Sequence, residues 1–252
     1  MELKKLYKDL KNKKIIVTGI ATGIGKSITT RLSAYGSKIA ALDIDKENGS
    51  NTVFNAIECG GDIKFFYTDV QNESNVKKSI KDSIAWLNGV DVLIHTAGIL
   101  DGANVEISDF SESTWDEVLG VNLKGSFLIT KYVSKFMIKQ KYGAIILTAS
   151  GAGVHGGSSS YAYGSSKGGV HGLSLVLEQN LSKYGIRVND VLPGSVKTPL
   201  KIKNVKDTHK NDDKLSINQR INELVSPDDI AKVYAFLASE EANMIRGSIR
   251  TR

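Results

Sequence analysis

Short runs of consecutive apolar residues alternate with longer amphipathic stretches along almost the whole chain, and this alternation restricts the fold more than any other feature. The strand candidates are Lys14–Thr18, Lys38–Asp43, Ile63–Thr68, Val90–His95, Ala144–Thr148 and Arg187–Leu192. Several are apolar on successive positions, the pattern of parallel strands covered on both faces. Helical candidates lie near Gly25–Tyr35, Lys46–Glu58, Glu73–Leu87, Ser113–Lys139, Tyr161–Tyr184 and Pro227–Ser239. Such alternation predicts a doubly wound α/β fold, a parallel sheet of about seven strands with helices on both faces. No repeat, low-complexity tract or linker interrupts it, so residues 1–252 are expected to form a single domain. Residues 197–225 break the rhythm, being polar and lysine-rich after the sixth strand. A long insertion there is expected to act as a substrate lid, a plain surface loop being the alternative.

The net charge of +6 invites a nucleic-acid reading. However, the lysines are scattered, and their densest clusters lie at Lys4, Lys5, Lys8, Lys11, Lys13 and Lys14 and between Lys197 and Lys210. Scattered lysine marks a solvated surface rather than a binding stripe, so no nucleic-acid partner is expected. Cys59 is alone, which excludes an intramolecular disulfide and a cysteine-based metal site. The four histidines show no paired spacing such as HxxxH, and no metal is expected. No apolar run approaches membrane-spanning length, so a cytoplasmic setting without membrane association is expected.

The first strand leads into Thr18-Gly19-Ile20-Ala21-Thr22-Gly23-Ile24-Gly25 and then a helix. Glycines there let the chain turn tightly, bring its amides close to a ligand and seat a pyrophosphate at the positive end of the helix. Gly25-Lys26-Ser27 suggests a triphosphate-binding P-loop, but that motif needs a glycine where Ile20 stands. The second strand ends at Asp43, whose carboxylate can accept hydrogen bonds from both ribose hydroxyls of an adenosine and would repel a 2′-phosphate. NAD(H) is therefore expected over NADP(H).

Tyr163 and Lys167 form a YxxxK pair one helical turn apart, and Ser150 stands thirteen residues upstream of the tyrosine, after an apolar run. A phenol with its ordinary pKa near 10 is a poor acid or base at neutral pH. An ammonium one turn away is expected to favour the phenolate and lower that pKa. The serine hydroxyl can hold a substrate oxygen while the tyrosine moves its proton. Proton transfer at an alcohol or carbonyl oxygen is implied, with a hydride partner.

From Lys14 to about Gly247 the chain resembles the short-chain dehydrogenase/reductase family, in its single-domain Rossmann form called classical. Thr18-Gly19-xxx-Gly23-Ile24-Gly25 matches the family's TGxxxGIG loop, and Pro193-Gly194 followed by Thr198 matches its PGxxxT segment. Asp69, Ala97-Gly98 and Asn122 also fall at family positions, Asn122 twenty-eight residues before Ser150. The resemblance implies a catalytic set of Asn122, Ser150, Tyr163 and Lys167. It implies cofactor contacts from Thr18, Gly19, Thr22, Gly23, Ile24 and Gly25, from Asp43, Ile44, Asp69 and Val70, and from Ala97 and Gly98. Tyr163, Lys167, Pro193, Gly194, Val196 and Thr198 complete that set. In the family's scheme Tyr163 is the general acid or base, and Lys167 lowers its pKa and holds the nicotinamide ribose. Ser150 polarises the substrate oxygen, and Asn122 holds a water linking the lysine to solvent. Asp69 could also be the N-cap of the following helix, and a mid-helix asparagine such as Asn122 could be a solvated surface residue.

Three departures accompany the likeness. His95-Thr96 replace the usual Asn-Asn, with the turn at Ala97-Gly98 expected to survive. The lid approaches Pro227 through Ile221-Asn222-Glu223-Leu224-Val225, without the common arginine. The acidic-Gly-Gly ending of many relatives is missing, so the last strand should be short. His155, in the stretch Gly151–Ser160, is expected beside the substrate with Ser150 and Tyr163, or else as a solvent-facing loop histidine. His171, on the helix of Lys167, is expected to be packed or exposed rather than catalytic. The expected activity is hydride transfer between NAD(H) and a small-molecule alcohol or ketone, in a homo-oligomer, a tetramer or a dimer. The alternatives are an NADP(H)-dependent 3-oxoacyl thioester reductase and a non-catalytic dinucleotide-binding protein.

Overall fold

In the computed structural model, which describes residues 7–58 and 60–252, seven strands form one parallel sheet. Lys4, Lys5 and Cys59 lie outside the described residues. The strands are β1 (Lys14–Thr18), β2 (Lys38–Asp43), β3 (Asp62–Tyr67), β4 (Val92–His95), β5 (Gly143–Thr148), β6 (Ile186–Leu192) and β7 (Gly247–Arg250). Their spatial order is β3-β2-β1-β4-β5-β6-β7, so the chain reverses its march across the sheet between β1 and β4. At such a switch point the carboxyl ends of two neighbouring strands diverge into helices on opposite faces and leave a crevice for a ligand.

Ten α-helices cover the sheet and its carboxyl edge among the described residues: α1 (Gly23–Ala34), α2 (Lys46–Glu58), α3 (Glu73–Leu87), α4 (Glu112–Leu119), α5 (Gly125–Gln140), α6 (Gly151–Val154), α7 (Tyr161–Leu181), α8 (Pro199–Thr208), α9 (Lys214–Asn222) and α10 (Pro227–Ala238). Alternate strand residues divide the core into two layers. Ile15, Val17, Ile94 and Ile146 pack with Ile28 and Leu32 of α1 and Tyr234 and Leu237 of α10. Ile16, Leu93, Ile145 and Leu147 pack with Ile80 of α3, Leu128 and Val133 of α5 and Val170 of α7. Every residue of β4, β5 and β6 is buried, which explains why β4 and β5 are largely apolar in succession rather than in alternation, while β6 buries Arg187, Asn189 and Asp190 against hydrogen-bond partners.

The predicted helix over 113–139 is two helices joined by a five-residue π-helical segment, Gly120–Lys124. A π turn widens the backbone spiral locally and rotates the side chains it carries, and here it turns Asn122 fully inward. Asn122 is therefore no surface residue. The N-cap of α3 is Asn72, whose side chain accepts from the Asn75 amide, rather than Asp69. The polar insertion is ordered as α8 and α9, with Thr198 and Asp213 as their N-caps. As expected, the last strand is short, with four residues.

Candidate active site

The loop after β1 is shaped by close backbone approach. Gly19 has φ +74°, and a Cβ built there would lie 2.6 Å from the Ala97 amide nitrogen. At Gly25 a Cβ would fall 2.0 Å from the Gly19 carbonyl oxygen. Neither position admits a side chain, so the loop lies flat against the start of α1. That helix has no side-chain cap at Thr22 and no acidic residue in its first turn. Its leading amides and positive dipole end face a cavity of about 880 Å³ along the carboxyl ends of the strands.

Asp43 closes one end of this cavity. Its two carboxylate oxygens accept the Ala21 amide at 2.8 Å and the Asp45 amide at 2.9 Å. The group is thus held in place by the glycine loop and by its own turn, with lone pairs remaining for further donors. Asp69 lines the same cavity and accepts the Gln71 amide at 3.0 Å. A flat glycine cradle, an open helix start and two anchored carboxylates fit a dinucleotide.

Ser150, Tyr163 and Lys167 converge at the other end of the cavity. Ser150 caps the single turn of α6, and Tyr163 lies in the first turn of α7, where Ser160 caps the helix by accepting the Tyr163 amide. The Ser150 hydroxyl, which accepts the Ala152 amide at 3.2 Å, stands beside the Tyr163 hydroxyl. Lys167 is buried, its ammonium donating to the Thr148 carbonyl at 2.7 Å and lying 5.8 Å from the centre of the Tyr163 ring. Behind them Asn122 acts as a brace. Its Oδ1 accepts the Ile99 amide at 2.8 Å, while its Nδ2 donates to the Ile99 carbonyl and to Ser166 Oγ, both at 2.9 Å.

The electrostatics correct one expectation. Burial pushes the Tyr163 phenol above its ordinary pKa, with the neighbouring Ser150 hydroxyl acting in the opposite sense. No pull from Lys167 offsets this: its ammonium is held on the Thr148 carbonyl, 5.8 Å from the ring centre, and burial lowers the lysine's own pKa to about 8. At neutral pH the pair is a protonated phenol beside a marginally stable ammonium.

Comparison with known proteins gives this arrangement a family. The short chain dehydrogenase family model matches residues 13–209. The 3-oxoacyl-(acyl-carrier-protein) reductase FabG of Thermotoga maritima is 32% identical over 240 residues, covering 95% of this chain and 96% of that protein. (+)-Borneol dehydrogenase 1 of Salvia officinalis is 34% identical, covering 95% of this chain and 92% of its own. This chain belongs to the short-chain dehydrogenase family. Among solved structures, levodione reductase superposes with a TM-score of 0.90 at 26% identity, covering 95% of this chain and 96% of that one. Actinorhodin polyketide ketoreductase, crystallised with NADPH, gives 0.88 at 26% identity, covering 95% of each chain. Oxidoreductase activity at an alcohol or ketone and binding of a nicotinamide dinucleotide follow from family membership.

Within this short-chain dehydrogenase every cofactor position named from the sequence lines the cavity except Thr18. Thr18 is buried and acts through its neighbours, its hydroxyl lying 2.7 Å from His95 Nδ1. The departure from Asn-Asn is thereby made good. His95 ties β4 to β1 through Thr18, and Thr96 Oγ1 donates to the Thr18 carbonyl at 2.6 Å. His155 is exposed and does not line the cavity, whereas Ser158 and Ser159 of the same stretch do. His171 lies 3.0 Å from Asp190 Oδ2 and is engaged in packing β6. Spacing could not reveal Thr148, which holds Lys167 by a backbone carbonyl, or the buried lid residue Asn204, which donates to Ser159 at 2.8 Å. Among the described residues no cluster of three His, Cys, Asp or Glu could hold a metal, and no helix is long and apolar enough to cross a membrane.

Proposed function

We propose that this protein is an NAD(H)-dependent dehydrogenase/reductase that moves a hydride between the cofactor and a small alcohol or ketone, with Tyr163 as general acid and base. The observation that carries the reading is the Tyr163–Ser150 hydroxyl pair standing in one cavity with the glycine cradle and Lys167. The nicotinamide, when bound, supplies or receives the hydride. The chain's own residues handle the oxygen and its proton. Ser150 hydrogen-bonds the substrate oxygen and holds it beside the phenol. In reduction Tyr163 donates its proton as the oxygen gains electron density; in oxidation the phenolate takes the proton back. Lys167, held by the Thr148 carbonyl, offers its remaining donors to the ribose. Asn122 fixes the turn at Ile99 and the start of α7 through Ser166, keeping the pair in register.

Asp43 supports NAD(H) over NADP(H), because its anchored carboxylate would face a 2′-phosphate across a short distance in a partly dry cleft. Titrating the protein with NADH and NADPH and following nicotinamide fluorescence tests this, with tighter NADH binding expected. A second reading, NADP(H)-dependent reduction of a 3-oxoacyl thioester, is favoured by the likeness to FabG and by a phenol that burial keeps protonated. Preferential binding of NADPH would establish it over the first. Tyr163→Phe should lower turnover by about 10²- to 10⁴-fold while leaving cofactor affinity unchanged. Exposed Phe127 on α5 and Leu175 and Val176 on α7 support the proposal of a homo-oligomer, which sedimentation measures directly.

A further inference from the structure

Where β1, β4 and β5 end side by side, buried side chains form a hydrogen-bonded series centred on His95. The ring's Nδ1 lies 2.7 Å from Thr18 Oγ1, and its Nε2 is buried with no partner among the described residues. Thr18 Oγ1 also receives the amides of Thr96 at 3.3 Å and Ala97 at 3.5 Å. Amides only donate, so the single acceptor available to the Thr18 hydroxyl proton is His95 Nδ1. A proton on Nδ1 would leave both that hydroxyl hydrogen and the Nε2 lone pair unpaired. With the proton on Nε2, a single N–H lacks a partner. Burial and the field of Lys167 also push the imidazole pKa down to about 3, so the ring is uncharged. The backbone of the same residue faces the catalytic side: the His95 carbonyl accepts Thr148 Oγ1 at 2.8 Å, and the Thr148 carbonyl holds Lys167.

We infer that His95 is a positioning residue that, as the neutral Nε2–H tautomer, joins the phosphate-facing glycine loop to the strand anchoring Lys167. Its side chain fixes Thr18, the residue before Gly19, while its carbonyl fixes Thr148. The functional consequence rests on the dinucleotide reading above; the tautomer does not.

Nitrogen-15 NMR of the histidine-labelled full chain reads the tautomer, with the His95 signals identified by their loss in His95→Asn. Nδ1 should show the shift of an unprotonated, hydrogen-bonded nitrogen and Nε2 that of an N–H, unchanged from pH 5 to 8, the range of ordinary histidine titration. A proton on Nδ1, or titration within that range, overturns the inference. Cofactor binding and kinetics form the second arm. His95→Asn offers Thr18 a carbonyl acceptor and should keep NADH affinity within about threefold, whereas His95→Leu should weaken it on the order of tenfold. Equal affinity in the leucine variant overturns the positioning role. Should wild-type protein bind neither NADH nor NADPH, the dinucleotide reading and the positioning role fail together, while the tautomer stands or falls by NMR alone.

Discussion

Burial sets stability against chemistry at Lys167. Its pKa lies at about 8 in the fold against 10.5 for an unhindered lysine, so between these values the unfolded chain binds more protons than the native one. Stability from this group therefore rises with pH across that window, and the full penalty applies at neutral pH and below. Lys167→Met removes the penalty and leaves the Thr148 carbonyl without its donor. The expected outcome is a melting temperature at pH 7 equal to or a few degrees above wild type, with alcohol oxidation lost. A melting point far below wild type would show that the ammonium stabilises the fold after all. The raised pKa of Tyr163 fixes a second pH dependence. In the proposed mechanism oxidation needs the phenolate, so its rate should climb with pH above neutrality, while reduction should be fastest where the phenol keeps its proton. Initial rates in both directions across pH check the sign. That Ser150, Tyr163 and Lys167 share one cavity was legible in the sequence because one strand end and one helix carry them at fixed spacing, whereas Asn122 comes from the π segment. The direction of the Tyr163 shift was not legible, since spacing places a cation nearby but does not say how dry the site is or where the ammonium points.

At the scale of elements, the glycine turn, the paired strands and the α7 helix carry their own signals, and all appear within three residues of where the sequence places them. The lid does not. Its helices bury few apolar residues, Val205 on α8 and Ile221 on α9, and α8 is held partly by polar contacts that apolar periodicity cannot register. Asn204 is buried and donates to Ser159, and Asn104 Nδ2 donates to Thr208 Oγ1 at 3.0 Å. The π segment in front of α5 was equally hidden, because Asn122 reads as a polar interruption until the widened turn rotates it inward. Asn204→Ala should free α8 from the Gly151–Ser160 stretch by removing a bond worth about 1 kcal/mol. Hydrogen exchange of residues 199–208 should quicken, and the KM for the alcohol should rise severalfold with NADH affinity unchanged. Unaltered exchange in α8 would mean that Pro199 and the Thr198 cap hold the lid unaided.

Across the whole molecule the two edges of the sheet have different tasks. The carboxyl edge holds the cavity, while the amino edge carries a polar clasp that joins distant parts of the chain. Lys13, just before β1, pairs with Glu240 Oε1 at 2.5 Å and with Asp9 Oδ2 at 3.3 Å. Tyr142, just before β5, donates to Glu240 Oε1 at 2.8 Å, and Asn243 donates to Glu240 Oε2 at 2.6 Å. These hydrogen bonds and the Lys13 charge hold the Glu240 carboxyl at a pKa of about 2, against an ordinary 4.5. A depressed acid contributes stability that is complete above its unfolded pKa and lost as pH falls through its folded one. Glu240→Gln keeps the shape but loses the charge, so it should melt below wild type at neutral pH. The two melting curves should draw together below about pH 4.5 and meet near pH 2, the unfolded and folded values of that carboxyl. Because the clasp lies across the sheet from Tyr163, cofactor affinity should be unchanged in the same variant. A difference in melting temperature that persists undiminished at the acid end would assign the clasp's contribution to packing around Tyr142 rather than to the carboxylate.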